Sequence, residues 1–199
     1  CQRMIQAVAD RCACIIRVPQ AEEMQIKQAL DIGADGIIAP QVNSAEHAQR
    51  VADSCKYPPL GRRGVGIARA HGYGLDFADY LATANDRVSV VIQAEHVDAV
   101  ANIDDIVAVE GIDAVLIGPY DLSASMGKPG EVSDPDVVDA IDTVTRACKR
   151  ANVGLGFFGV NPEEVKPYIV KGYTLIVCGT DTVFLAGGAA NTIDQLRGQ

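Results

Sequence analysis

A parallel α/β fold built from repeated βα units is what this sequence predicts, and three observations predict it. Short β-branched runs alternate with longer stretches of helical periodicity. Each run is nearly continuous in apolar residues, as in parallel strands covered on both faces. The helical stretches between them carry readable caps. The runs occupy residues 15–18, 36–39, 88–93, 114–117, 154–158 and 174–178.

The helices follow in order. Residues 2–11 open the chain as a helix with Met4, Ile5 and Val8 on one face, leading directly into the first run. A second helix starts near Glu22 and stops at Gly33; a third, carrying His47, starts near Ser44. Another begins at Val97 and stops at Gly111. Ser133-Asp134-Pro135 opens a helix whose Val137, Val138, Ile141, Val144 and Cys148 share a face. Asn161-Pro162-Glu163-Glu164 supplies an N-cap, a first-turn proline and early acids, and Gly172 follows the last turn.

Repeated βα units close either as an open doubly wound sheet or as a (β/α)8 (TIM) barrel. A doubly wound sheet announces its nucleotide with a glycine-rich turn after the first strand, and Pro19-Gln20-Ala21-Glu22 contains no glycine. Gly64-Val65-Gly66-Ile67-Ala68-Arg69 begins like such a turn, but it ends in Arg69 and no strand precedes it. A barrel needs eight strands where six runs are present, and the opening helix has no strand before it. The expectation is a single α/β barrel domain over 1–199 that lacks the first two strands.

Composition narrows the partners. The 199 residues carry 26 acidic and 17 basic side chains, a net charge of −9, with 48% hydrophobic and 22% charged residues. That acidity excludes the basic stripe a nucleic-acid partner needs. No apolar run approaches the roughly 18 residues of a membrane span. Cys1, Cys12, Cys14, Cys55, Cys148 and Cys178 form no CxxC pair and have no histidine cluster, so neither a zinc site nor a disulfide framework is signalled. Free thiols in an acidic chain suit a reducing cytoplasm.

Catalytic groups of a barrel project from the C-terminal strand ends. The third run ends in Gln93-Ala94-Glu95-His96, and the fourth leads into Gly118-Pro119-Tyr120-Asp121. Two successive strands thus bring Glu95 and Asp121 to one rim, where they are either helix-cap and turn acids or ligands of Mg²⁺ or Mn²⁺. In the loop 58–66, Arg63 stands between glycine turns, either as a surface arginine or as a clamp for a carboxylate or developing oxyanion. The stretch from Tyr57 to Asn85 is too long for a simple connection. The six lysines, Lys27, Lys56, Lys128, Lys149, Lys166 and Lys171, all fall outside the strand runs, which disfavours Schiff-base chemistry inside a barrel.

These residues resemble the HpcH/HpaI family of metal-dependent aldolases. Ile16-Arg17-Val18-Pro19, Tyr57-Pro58-Pro59, Arg63-Gly64-Val65-Gly66 and Gln93-Ala94-Glu95 carry the resemblance, followed by residues 117–123, Met126-Gly127 and Gly179-Thr180-Asp181. The resemblance implies a pyruvate-handling barrel that reversibly cleaves a 4-hydroxy-2-oxo acid to pyruvate and an aldehyde. It implies Glu95 and Asp121 as ligands of a divalent metal (Mg²⁺, Mn²⁺ or Co²⁺). It further implies that Gln93, Tyr120 and Asp121 line the pyruvate end and that Arg63 stabilises the enolate. A homo-oligomer, often a hexamer, is implied too, with an apolar tail at 182–196 exchanged between subunits, while residues 156–159 fall among the walls that select the aldehyde. The related alternatives are citrate-lyase-type C–C lysis, oxaloacetate decarboxylation on the same site, and a catalytically incomplete barrel fragment. In one respect the chain departs from the pattern: the family's base is a histidine after the second strand, and His47, His71 and His96 do not match it. His71 and Asp76 lie near the Arg63 loop, and neither receives the base role.

Overall fold

The computed structural model describes residues 1–8 and 11–198. Helix α1 (Gln2–Val8) precedes β1 (Ile15–Arg17), α2 (Glu23–Asp31), β2 (Gly36–Ala39) and α3 (Ala45–Cys55). A 3-10 segment (Arg69–Gly74) and α4 (Phe77–Arg87) follow, then β3 (Ser89–Ala94), α5 (Val97–Ala101) and α6 (Ile103–Val107). The chain continues through β4 (Ala114–Ile117), α7 (Pro119–Ser125), α8 (Pro135–Ala151), β5 (Gly154–Gly159), α9 (Pro162–Val170), β6 (Leu175–Cys178) and α10 (Asp181–Arg197). Each predicted run becomes a strand.

Three expectations about helices change. The opening helix ends at Val8 and buries only Ile5, while Met4 is exposed; its predicted stretch at Ala9 and Asp10 lies outside the described residues. The helix expected from Val97 to Gly111 breaks at Asn102 into α5 and α6. The long connection after Tyr57 contains α4, whose Ala84 packs inward and whose Arg87 closes its last turn.

All six strands are parallel and ordered as in the chain, from β1 to β6, so each consecutive pair is joined by a crossover. This is six βα units of a barrel. Among the described residues β1 and β6 each pair along one edge only, so an eight-stranded closure is not part of the structure.

Pleating sorts the side chains into two layers. Ile37, Val90, Ile92, Val115 and Ile117 face outward into the main core under the helices, with Leu30, Val51, Ile106, Leu122, Ile141 and Val144. Ile38, Val91 and Leu116 face the other way, with Leu175 and Val177 beside them. Close strand approach needs a glycine at Gly36, where a Cβ would stand 2.5 Å from the Ser89 carbonyl oxygen. The helix ends follow from local chemistry: Ser44, Asp134, Asn161 and Thr180 cap α3, α8, α9 and α10 with their side chains. Cys55 and Cys148 behave as small buried hydrophobes; burial pushes both thiols up to about 12. Among the described residues no helix is long and apolar enough to cross a membrane.

Ile92 is fully buried between the sheet and its helices. Ile92→Ala is expected to cost about 2–5 kcal/mol of stability, read as a lower urea midpoint at unchanged m.

Candidate active site

The pleat that buries Val91 inward carries Gln93 and Glu95 to the same side, at the C-terminal end of β3. Glu95 is 1% exposed and Gln93 7%. A buried carboxylate needs donors, and two are in place. The Gln41 backbone N–H donates to Glu95 Oε1 at 2.9 Å, and Gln93 Nε2 donates to Oε2 at 2.5 Å. Gln41 achieves this with φ 55°, a left-handed conformation unusual for a side-chain-bearing residue. Arg17, the last residue of β1, donates from Nε to Gln93 Oε1 at 3.2 Å. Gln93 therefore links the arginine to the carboxylate, its amide oxygen taking one bond and its nitrogen giving the other.

A cavity of about 320 Å³ opens above this network, lined by Arg17, Ile38, Gln93, Leu116, Gly118, Tyr120, Asp121, Phe158 and Val177. Gly118 keeps it open, because a Cβ there would stand 2.8 Å from Gln93 Nε2 and 3.0 Å from Glu95 Oε2. Asp121 lies in the first turn of α7, at the exposed side of the cavity. Burial raises the Glu95 carboxyl above its ordinary range; the Gln41 N–H draws it back, Asp121 raises it further and Arg17 lowers it. Tyr120 turns its hydroxyl outward, donating to Glu164 Oε2 at 3.1 Å. Burial and that carboxylate both hold the phenol above its usual range.

The predicted site residues Gln93, Glu95, Tyr120 and Asp121 thus converge, and Arg63 does not. Its loop leaves the C-terminal end of α3, where the Arg63 N–H donates to Lys56 O at 2.9 Å. Lys56 Nζ in turn reaches Val88 O, immediately before β3. That is the opposite end of a six-residue strand from Glu95, a separation of about 20 Å. The Arg63 side chain is 1% exposed. It pairs with Asp31 Oδ1 at 3.0 Å, donates to the Tyr80 hydroxyl at 3.2 Å, and lies over the Tyr57 ring at 4.5 Å. Burial works against its charge, but the Tyr80 and Asp31 oxygens outweigh it and keep the guanidinium ionised. The placement at the rim is corrected: this loop follows a helix, and only loops that follow strands reach the C-terminal face.

Arg17 is the arginine of the rim. Its signal was a lone charge at the end of an otherwise apolar run, Ile15-Ile16-Arg17. Gln41 acts through its backbone and left no side-chain signal. None of the three histidines lines the cavity. His96 caps α5, its Nδ1 accepting from the Asp98 N–H. His47 Nε2 is 3.4 Å from Ala21 O. His71 is buried under the long loop, where Nδ1 accepts from the Gly74 N–H and Nε2 donates to the Gly66 carbonyl at 2.7 Å.

The residues present fit a divalent cation. Each Glu95 oxygen spends one lone pair on its donor and keeps another, and Asp121 adds a second carboxylate. Among the described residues no group of three or more His, Cys, Asp or Glu side chains forms a metal cluster. Two carboxylates suit Mg²⁺ or Mn²⁺, which take further oxygens from water and substrate, and do not suit a closed zinc site.

The fold and site are those of a parallel βα array with a pocket of two carboxylates and one arginine at the C-terminal end of its strands. Residues 2–187 match the HpcH/HpaI aldolase/citrate lyase family, and the chain belongs to that family. It is 40% identical over 171 residues to the 2-keto-3-deoxy-L-rhamnonate aldolase of Shigella sonnei, a match that covers 85% of this chain and 64% of that protein. A solved HpcH/HpaI aldolase/citrate lyase family protein from Burkholderia cenocepacia superposes with a TM-score of 0.92 at 33% identity, covering 98% of this chain and 77% of that one. The HpcH/HpaI aldolase of Desulfitobacterium hafniense superposes at 0.90 and 32% identity, with the same coverage.

Two outcomes follow from the electrostatics. Arg63→Ala removes one partner of a buried pair and is expected to cost about 3–5 kcal/mol of stability in chemical denaturation. Because Glu95 holds its proton more tightly folded than unfolded, the cation-free protein binds the extra proton in the native state. Its stability is therefore expected to fall as pH rises from the ordinary carboxylate range through the raised Glu95 value. Thermal melts across pH should show Glu95→Gln flattening that fall, and Mn²⁺ raising the melting temperature of wild type but not of Glu95→Gln.

Proposed function

We propose that the chain carries the pyruvate side of a class II aldolase site, cleaving a 4-hydroxy-2-oxo acid to pyruvate and an aldehyde. The observation that carries this reading is the convergence of Arg17, Gln93 and Asp121 on one cavity, with the buried Glu95 carboxylate bonded to Gln93 directly beneath it. In the cleavage direction the 4-hydroxyl loses its proton and the C3–C4 bond breaks. The electron pair moves toward the C2 oxygen as the aldehyde departs, and protonation at C3 yields pyruvate. A divalent cation held by Glu95 and Asp121 supplies Lewis acidity to this oxo-acid end.

Arg17 places a fixed positive charge where the enolate oxygen develops, and Gln93 holds that guanidinium in position. Tyr120 contributes its ring to the wall, since its hydroxyl is engaged by Glu164. We assign no residue of this chain as the base. The lysines lie on helices, at helix ends or in loops, away from the strands, which supports the metal route over an imine. The exposed Val183, Phe184, Leu185, Ile193 and Leu196 of α10 support the homo-oligomer the family resemblance implies.

Pyruvate release from 4-hydroxy-2-oxo acids is expected to require Mg²⁺ or Mn²⁺, to vanish with EDTA and return on adding the metal. Pyruvate with borohydride should leave activity intact. Decarboxylation of oxaloacetate without cleavage of any hydroxy-oxo acid would replace this reading. Arg17→Ala is expected to lower kcat/KM about a hundredfold or more. Arg17→Lys should recover little, because the ammonium lacks the planar fork.

A further inference from the structure

Glu164 has had no part in the reaction so far, yet its carboxylate is among the most heavily bonded in the molecule. It stands at the third position of α9, and its backbone N–H donates to Asn161 Oδ1 at 3.0 Å. Asn161 Nδ2 returns a bond to Glu164 Oε1 at 2.9 Å, and the Val160 N–H donates to Oε2 at 3.0 Å. This reciprocal cap anchors the carboxylate to its own helix before it reaches across to Tyr120.

What it holds is a wall. The Tyr120 ring meets Phe158 edge-on, with centroids 6.3 Å apart and planes at 73°. Both line the cavity beside Ile38, Leu116 and Val177. A phenol has one hydrogen to give, and Tyr120 gives it to Glu164, so the wall offers a substrate a ring edge and no free donor. Among the described residues, Arg17 on β1 is the cation that lines the cavity, and Phe158 comes from β5. A fixed anion behind an aromatic wall that offers no free donor disfavours a second negative charge there.

We propose that Glu164 is a positioning residue which, through Tyr120, makes the β5 side of the cavity select an uncharged aldehyde over one ending in a carboxylate. The inference rests on the aldolase reading and specifies the second substrate. Its test uses the Mn²⁺-loaded protein with two acceptors of equal carbon count, butanal and succinic semialdehyde, in aldol addition to pyruvate. Exchange of the pyruvate methyl hydrogens in D₂O, followed by NMR, reports the pyruvate half alone.

Wild type is expected to favour butanal in kcat/KM. Glu164→Gln drops the charge and keeps one acceptor oxygen, which can stay toward the Tyr120 hydroxyl and the Val160 N–H while the bond from Asn161 Nδ2 is lost. It should leave methyl exchange and melting temperature near wild type and shift the preference toward the semialdehyde by about two- to fivefold, mainly in KM. Glu164→Ala should widen acceptance of both aldehydes. A wild-type preference for the semialdehyde overturns the proposal. So does an unchanged preference ratio in both variants, with both acceptors slowed equally in step with lost stability. Absence of methyl exchange in wild type overturns the aldolase reading, and this inference with it.

Discussion

The carboxylate of Glu95 is buried at the end of a strand, and the rim of the sheet is organised around that single constraint. An ion withdrawn from water must be given donors or it takes a proton. The chain meets the demand by turning Gln41 into a left-handed conformation so that its N–H points at one oxygen, and by stacking Gln93 one pleat below so that its amide reaches the other. Gly118 follows from the same packing, since no side chain fits where the neighbouring strand passes this pair. Arg17 then approaches the carboxylate through the Gln93 oxygen. What reads as four separate features is one solution to one desolvation problem, and Asp121 adds a like charge that leaves the solution incomplete without a cation.

The two arginines show how differently a guanidinium can be used. Arg63 is enclosed, paired with Asp31, bonded to Tyr80 and laid on Tyr57, so its charge is held by the protein and stabilises the fold, although its buried Nε has no partner. Arg17 is exposed at the cavity wall and makes a single bond to a neutral amide, leaving its other donors without a protein partner among the described residues. A guanidinium enclosed by the protein is out of a substrate's reach; one held at a cavity wall by a single neutral partner keeps both its charge and its donors.

Much of this was legible beforehand, for reasons that can be named. Strands buried on both faces leave continuous apolar runs, so Ile37-Ile38 and Val90-Val91-Ile92 declared themselves. The acids Glu95 and Asp121 stood out because they follow such runs directly. Arg63 was misplaced because its glycine- and proline-rich loop was read by composition, although the helix from Ser44 that precedes it directs the loop to the opposite end of the sheet. Helix α4 hid inside a stretch dominated by glycine and proline signals, and the break at Asn102 rests on a turn no periodicity marks. Gln41 was invisible for a deeper reason: its contribution is a backbone N–H aimed by a dihedral angle, and side-chain identity carries no record of that.

The cavity is divided by the order of the strands. Polar groups come from β1, β3 and the turn after β4, through Arg17, Gln93 and Asp121 with Glu95 beneath, while Ile38, Leu116, Phe158 and Val177 supply apolar carbon. A substrate with a chelating oxo-acid end and an uncharged end matches that division, because each half then meets an environment of its own polarity. Reversed in the pocket, the same molecule would bury its carboxylate against aromatic carbon with the Glu164 charge behind it, and leave Arg17 facing apolar carbon. On the proposed reading, the polarity of the cavity lining would therefore set which end of a substrate lies beside the arginine.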